Sequence, residues 1–141
     1  MRVQPYLVFD GRCEEALTFY QKALGAEILS LMRFKDSPMP QGGGVHSARN
    51  ADKIMNATFR LGDSLLMASD GSCGGNPEFK GVSLSITLPE AGEANATFAA
   101  LAEGGQVLVP MTETFFAQRF GIVADRFGLS WIVLAAPVAG V

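Results

Sequence analysis

Two hydrophobic periods alternate along the chain, and the same alternation occurs twice. Val3 to Phe9 is a continuous apolar and aromatic run that predicts a buried strand, and Asp10-Gly11 turns the chain after it. From Cys13 to Leu24 the spacing changes: Cys13, Ala16, Leu17, Tyr20, Ala23 and Leu24 recur at three and four residues, one face of a helix. Glu14 and Glu15 stand in its first turn, where the helix dipole favours them, and Gly25 supplies a left-handed stop. Strands follow at Ile28 to Phe34, Lys53 to Leu61 and Ser64 to Ser69, the last two joined by a Gly62-Asp63 hairpin turn. Between Lys35 and Asp52 lies a long loop with two prolines and the run Gly42-Gly43-Gly44, a length that usually marks function or disorder.

The second half repeats the order. Val82 to Leu88 predicts a strand, and Glu90 to Glu103 a helix with Ala94, Phe98, Leu101 and Ala102 inward, ended by Gly104-Gly105. Gln106 to Val109 predicts a short strand, Pro110 to Arg119 an irregular segment, and Phe120 to Ala124 and Leu129 to Ala135 two strands about an Asp125 to Gly128 turn. The pair Glu15-Ala16, Phe19 and Leu24-Gly25 echoes in Glu93-Ala94, Phe98, Leu101 and Gly104-Gly105. A unit repeated within 141 residues predicts two similar modules, each incomplete alone. The expectation is an α+β fold: one domain, 1–141, of two tandem βαβββ modules, about 1–70 and 81–136, with a glycine-rich linker over 71–80. A four-stranded sheet with one covering helix leaves its other face open. Two such sheets side by side predict an eight-stranded, half-open barrel around a central cleft, the concave kind of place where ligands bind.

Composition narrows the partners. A net charge of −3 with scattered Lys and Arg argues against nucleic acid. No apolar run approaches the roughly 18 residues of a membrane span, and the N-terminal stretch has no leader-like apolar core. Cys13 and Cys73 form no CxxC pair. The chain therefore reads as cytoplasmic, with reduced thiols.

Gly11-Arg12-Cys13-Glu14-Glu15-Ala16, Phe19-Tyr20, Leu24-Gly25-Ala26, Met67-Ala68-Ser69-Asp70, Glu113-Thr114-Phe115-Phe116, Arg119-Phe120-Gly121 and the closing Asp125-Arg126-Phe127-Gly128-Leu129-Ser130-Trp131 resemble the PhnB-like branch of the glyoxalase/bleomycin-resistance/dioxygenase (vicinal oxygen chelate) superfamily. Phe116 stands where members often carry Trp. The resemblance implies paired βαβββ modules, a homodimer, and a divalent metal held by side chains on the first and last strand of each module. Those positions are expected at Gln4, Met67, Ser83 and Ile132. Met67 and Ile132 offer a hard cation nothing, and Ser83 offers little. The expectation is therefore no resident metal and no organic cofactor, with a divalent metal on a different ligand set left open. Some relatives carry a methyltransferase name, yet no glycine-rich cofactor loop opens a helix in this sequence.

Two residues are weak catalytic candidates. His46, the only histidine, lies in the glycine-rich loop, where it acts as a lid acid or base or is simply solvated. Glu113 beside Thr114-Phe115-Phe116 has the surroundings of a general base, or is a surface glutamate. Phe59, Met67, Phe115, Phe116 and Arg119 are the expected ligand contacts, with Arg33 and Arg60 as further anion anchors. Cys13 at a helix start is either an activated thiol or core packing, Cys73 is an exposed thiol without a role, and Asp125 is turn chemistry. The reading is a metal-independent binder of a small apolar or aromatic compound. The alternatives are a metal-dependent lyase, isomerase or dioxygenase using Gln4, Asp70, Glu113 or His46, and a dimeric scaffold with a vestigial cleft.

Overall fold

The computed structural model describes residues 1–38 and 48–136. The chain divides into two compact units, Met1–Pro77 and Glu78–Val141. In the first, β1 (Tyr6–Val8), α1 (Cys13–Leu24), β2 (Glu27–Arg33), β3 (Ile54–Leu61) and β4 (Ser64–Ser69) form a sheet of order β1-β4-β3-β2. In the second, β5 (Ser83–Leu88), α2 (Ala91–Ala102), β6 (Gln106–Thr112), β7 (Phe120–Ala124) and β8 (Ser130–Ala135) form a sheet of order β5-β8-β7-β6. In each unit the first and last strands pair in parallel and the other pairs are antiparallel. The echo in the sequence is thus a repeat in topology: each unit is α+β with the same βαβββ connectivity.

The helices form where the three- and four-residue spacing lies. Cys13, Ala16, Leu17, Phe19 and Tyr20 are buried on α1, and Gly25 ends it at φ 69°, its N–H donating to the Gln21 carbonyl and the Ala26 N–H to the Tyr20 carbonyl. Tyr20 stacks on Phe59 at 6.4 Å between ring centroids and touches Phe9 and Phe19 edgewise or tilted. Full burial of such side chains stabilises by about 1.5–3 kcal/mol each, which is what holds helix to sheet. On α2 the buried residues are Ala94, Phe98 and Leu101. The second glycine of its stop has a steric cause: a Cβ on Gly105 would collide with the Ala124 carbonyl oxygen.

Two strands differ from expectation. β1 covers only Tyr6–Val8, and Val3 is 88% exposed, because only one face of this strand is covered: Leu7 and Phe9 are buried while Tyr6 and Val8 are not. β6 runs to Thr112, past Pro110, since a proline on an edge strand forfeits no ladder bond that a neighbour needs.

Candidate functional site

In each sheet one face is covered by the helix and the other carries partly exposed side chains, and strand register decides which residues share the open face. In the first unit Leu7, Ala57 and Ala68 are buried on the helix side. Tyr6 pairs with Met67, and Met67 with Thr58, so these three form a row on the opposite, open face. Asn56 shares that face and donates from Nδ2 to the Tyr6 hydroxyl at 3.0 Å. In the second unit Trp131, Val133 and Val123 are buried toward α2. Ser85, Ile132 and Ile122 form the equivalent open row, with Thr87, Leu134 and Phe120 in the next one.

In the register two of the four expected metal positions, Met67 and Ile132, do not stand opposite the other two. Met67 stands opposite Tyr6, not Gln4, which precedes β1; the Pro5 carbonyl accepts the Met67 N–H at 3.0 Å. Ile132 stands opposite Ser85, and Ser83 pairs with Ser130, their hydroxyls 2.9 Å apart. Both shifts are two residues, so they change the row and keep the face. The side chains at the paired positions Tyr6, Met67, Ser85 and Ile132 are a phenol, a thioether, a hydroxyl and an alkyl group. A divalent cation requires carboxylate, imidazole or carbonyl donors to repay its desolvation, so the group that the superfamily implies does not fit these residues. Among the described residues no three His, Cys, Asp or Glu side chains converge on a metal-holding cluster.

The alternative donors are placed elsewhere. Asp70 is 1% exposed, and its Oδ1 accepts the Cys13 N–H at 2.7 Å while Oδ2 accepts the Ile54 N–H at 2.6 Å. It therefore caps α1 from a distant segment, where Arg12 provides no side-chain cap. That carboxylate also decides the state of Cys13. Burial first, then the charges of Asp70 and Glu14, hold the thiol well above its ordinary range, so the helix start does not activate it. Burial likewise raises the Cys73 thiol, with Asp70 adding to it. Asp125, 3% exposed, organises the β7–β8 turn: Oδ1 accepts the N–H groups of Phe127 and Leu129, and Oδ2 accepts the Trp131 indole N–H at 2.8 Å. His46 lies outside the described residues.

The expected ligand contacts separate into two groups. Phe59 is fully buried on the helix side against Tyr20, and so does not line the open face. Met67 is half-buried on that face. Phe115 and Phe116 project from the segment between β6 and β7, 82% and 41% exposed, in an edge-to-face ladder with Phe120: centroids are 5.2 Å apart for Phe115 and Phe116, and 5.4 Å for Phe116 and Phe120. The ladder is set by Thr114, whose Oγ1 accepts the N–H groups of Phe116 and Ala117 and whose own N–H donates to the Ala117 carbonyl. Glu113 is exposed at the start of this turn, not walled in by the aromatics.

The arginines expected to hold an anion are all engaged within the protein. Arg119 donates from Nε to Asn95 on α2 at 3.0 Å and from Nη2 to the Met111 carbonyl at 3.2 Å. Arg33 pairs with Glu14 and Arg60 with Glu27. The Arg33 hydrogen bond lowers the Glu14 carboxyl below its ordinary value. Tyr6, Asn56, Ile122 and Leu134 are the open-face residues that inspection of the sequence did not single out. Period-two alternation marks them as facing one way; only pairing shows which way.

Comparison with known proteins agrees with this geometry. The family described as 3-demethylubiquinone-9 3-methyltransferase matches residues 1–134. Protein YjdN of Escherichia coli is 31% identical over 138 residues, covering 94% of each chain. Protein PA1353 of Pseudomonas aeruginosa is 39% identical with a TM-score of 0.83, over 96% of this chain and 98% of that one. A PhnB protein from Bacillus cereus is 28% identical with a TM-score of 0.78, over 96% and 100%. A glyoxylase/bleomycin resistance protein/dioxygenase domain from Frankia shares the fold at 16% identity and a TM-score of 0.64, over 100% of this chain and 95% of that one. The methyltransferase in the family's description is a name that the described residues give no chemistry for. By sequence over nearly its whole length the chain belongs to this PhnB-like family, and its fold is that of the glyoxalase/bleomycin-resistance proteins.

Proposed function

We propose that the protein binds a small, flat, largely apolar or aromatic compound without a metal. The observation that carries this reading is the row Ser85, Ile132, Ile122 on the open face of the second sheet. Ile132, at one of the four positions where the resemblance implies a metal ligand, has apolar Ile122 beside it, and Leu134, Phe120 and Phe116 extend the apolar surface. Half-exposed Ile, Leu and Phe side chains on a rigid sheet suit an apolar ring. The first sheet has an open face of its own, where Met67 is a polarizable thioether and the Tyr6–Asn56 pair presents hydroxyl and amide groups. The reading includes a cytoplasmic homodimer, supported by the apolar side chains exposed on the edge strands: Leu29, Leu31 and Met32 on β2, Val107 and Leu108 on β6.

The test combines metal analysis of the purified protein with thermal shift against Mg, Mn, Ni, Zn and Fe(II) and against a panel of planar aromatic compounds. A ligand at a hundred times its Kd stabilises by about 2.7 kcal/mol, a rise of about 8 °C for a chain of this size. The expected result is such a rise with an aromatic compound, diminished in Ile132→Asp. Stoichiometric metal that stabilises the fold and is lost on Glu113→Ala or Gln4→Ala refutes the reading and favours the metal-dependent enzyme. No rise with any metal or compound leaves the scaffold.

A further inference from the structure

We infer that the segment between β6 and β7 is a recognition element for organic cations, so that the compound bound is a positively charged aromatic or alkylammonium molecule. This rests on the reading above and specifies the ligand's charge.

Three observations converge on the segment. First, Phe115 is 82% exposed, an unusual position for a large aromatic ring, yet it is not held loosely. Its ring meets Phe116 edge to face, Phe116 meets Phe120 in the same way, and Thr114 fixes the intervening backbone with three hydrogen bonds. Arg119 ties the two ends of the segment together through the Met111 carbonyl and anchors them to Asn95. A ring presented rigidly to solvent loses little freedom when something stacks on it. The negative face of such a ring attracts a cation.

Second, Glu113 stands two residues before Phe115, exposed and without an ion pair among the described residues. A carboxylate two residues from an exposed aromatic ring complements an ammonium or a quaternary nitrogen. It repels an anion.

Third, the field of the whole unit has the same sign. The second unit holds three cationic side chains, Lys80, Arg119 and Arg126, against six acidic ones, so the chain's entire net charge of −3 resides there. Two of the three cations are engaged within the protein, and the exposed Lys80 has a carboxylate beside it. Lys80 lies by Glu78, Arg126 donates to the Glu103 carbonyl, and Arg119 is engaged as described. A surface of this kind draws cations and rejects anions.

The test compares two probes of equal shape on the full chain by isothermal titration near neutral pH: N-methylquinolinium and neutral quinoline, with a quinoline carboxylate as the anionic control. A cation over an exposed ring gains about two- to fivefold in affinity, and a nearby carboxylate a similar factor, so the cation is expected to bind about tenfold more tightly than quinoline. That preference should fall to about threefold in Glu113→Gln and vanish in the Glu113→Gln, Phe115→Leu double variant. Both side chains are exposed, so the variants should melt like the parent. High salt should reduce the preference more in the parent than in Glu113→Gln. Equal affinity for cation and neutral probe, tighter binding of the carboxylate, or a preference untouched by the double variant overturns the inference and leaves the apolar-ligand reading standing. Failure of all three probes to bind overturns both.

Discussion

Asp70 offers the sharpest test, because two roles for it predict opposite results. As a metal ligand it would be dispensable for folding without metal. As the structure has it, Asp70 is a buried carboxylate that accepts the Cys13 N–H at the start of α1 and the Ile54 N–H at the start of β3, and so joins helix to sheet. Asp70→Ala leaves two buried donors without acceptors, at about 1–3 kcal/mol each, and removes a negative charge from a helix N-terminus, about 0.5 kcal/mol more. The expected loss is about 4 kcal/mol, a large part of the 5–15 kcal/mol typical of a whole domain. Asp70→Asn keeps one acceptor and turns an N–H₂ group toward the other donor, so about half of that loss is expected. Urea unfolding of the metal-free protein, read by circular dichroism, gives both values at unchanged m. Amide exchange at Cys13 and Ile54 reports the same bonds directly, and both amides should be among the slowly exchanging ones in the parent and fast in Asp70→Ala. Losses below about 1 kcal/mol for both variants, with Cys13 and Ile54 still protected, would refute the capping argument.

Three further expectations follow from other parts of the structure. Asp125→Ala removes the acceptor of three buried donors, including the Trp131 indole, and should destabilise by about 3–5 kcal/mol with a change in Trp131 fluorescence; an unchanged midpoint and spectrum contradict the turn's role. A Cβ at Gly121 would lie 2.7 Å from the Met111 sulfur and 2.8 Å from a Phe98 ring carbon, so Gly121→Ala should cost about 1–3 kcal/mol by overpacking, and a neutral result in thermal melts would mean that α2 shifts freely. Cys13 holds its proton in the folded state above the ordinary thiol value of 9.0 and releases it near that value when unfolded. The unfolded state then binds fewer protons, so the Cys13 contribution is complete below pH 9 and declines as pH rises beyond it, by about 1.4 kcal/mol at pH 10. Cys13→Ala should flatten that slope, and native protein should expose no fast-reacting Cys13 to a thiol reagent; rapid labelling of two thiols per folded chain contradicts this.

The amino-acid sequence by itself determined the order of elements, the two helices and the repeat. These depend on local spacing: the three- and four-residue recurrence of Cys13, Ala16, Leu17 and Tyr20, or the alternation along Ser130 to Ala135, is set by the helix and strand periods wherever the segment ends up. The tertiary structure alone decided which face each side chain serves and which polar groups are already engaged. Phe59 and Met67 are both apolar residues on neighbouring strands, yet one is packed under α1 and the other faces away, because register is a relation between strands that no single strand encodes. Asp70 and Cys13 are 57 residues apart, and Arg119 and Asn95 are 24 apart, so the bonds that remove Asp70 from the metal donors and Arg119 from the anion anchors exist only once the chain has folded.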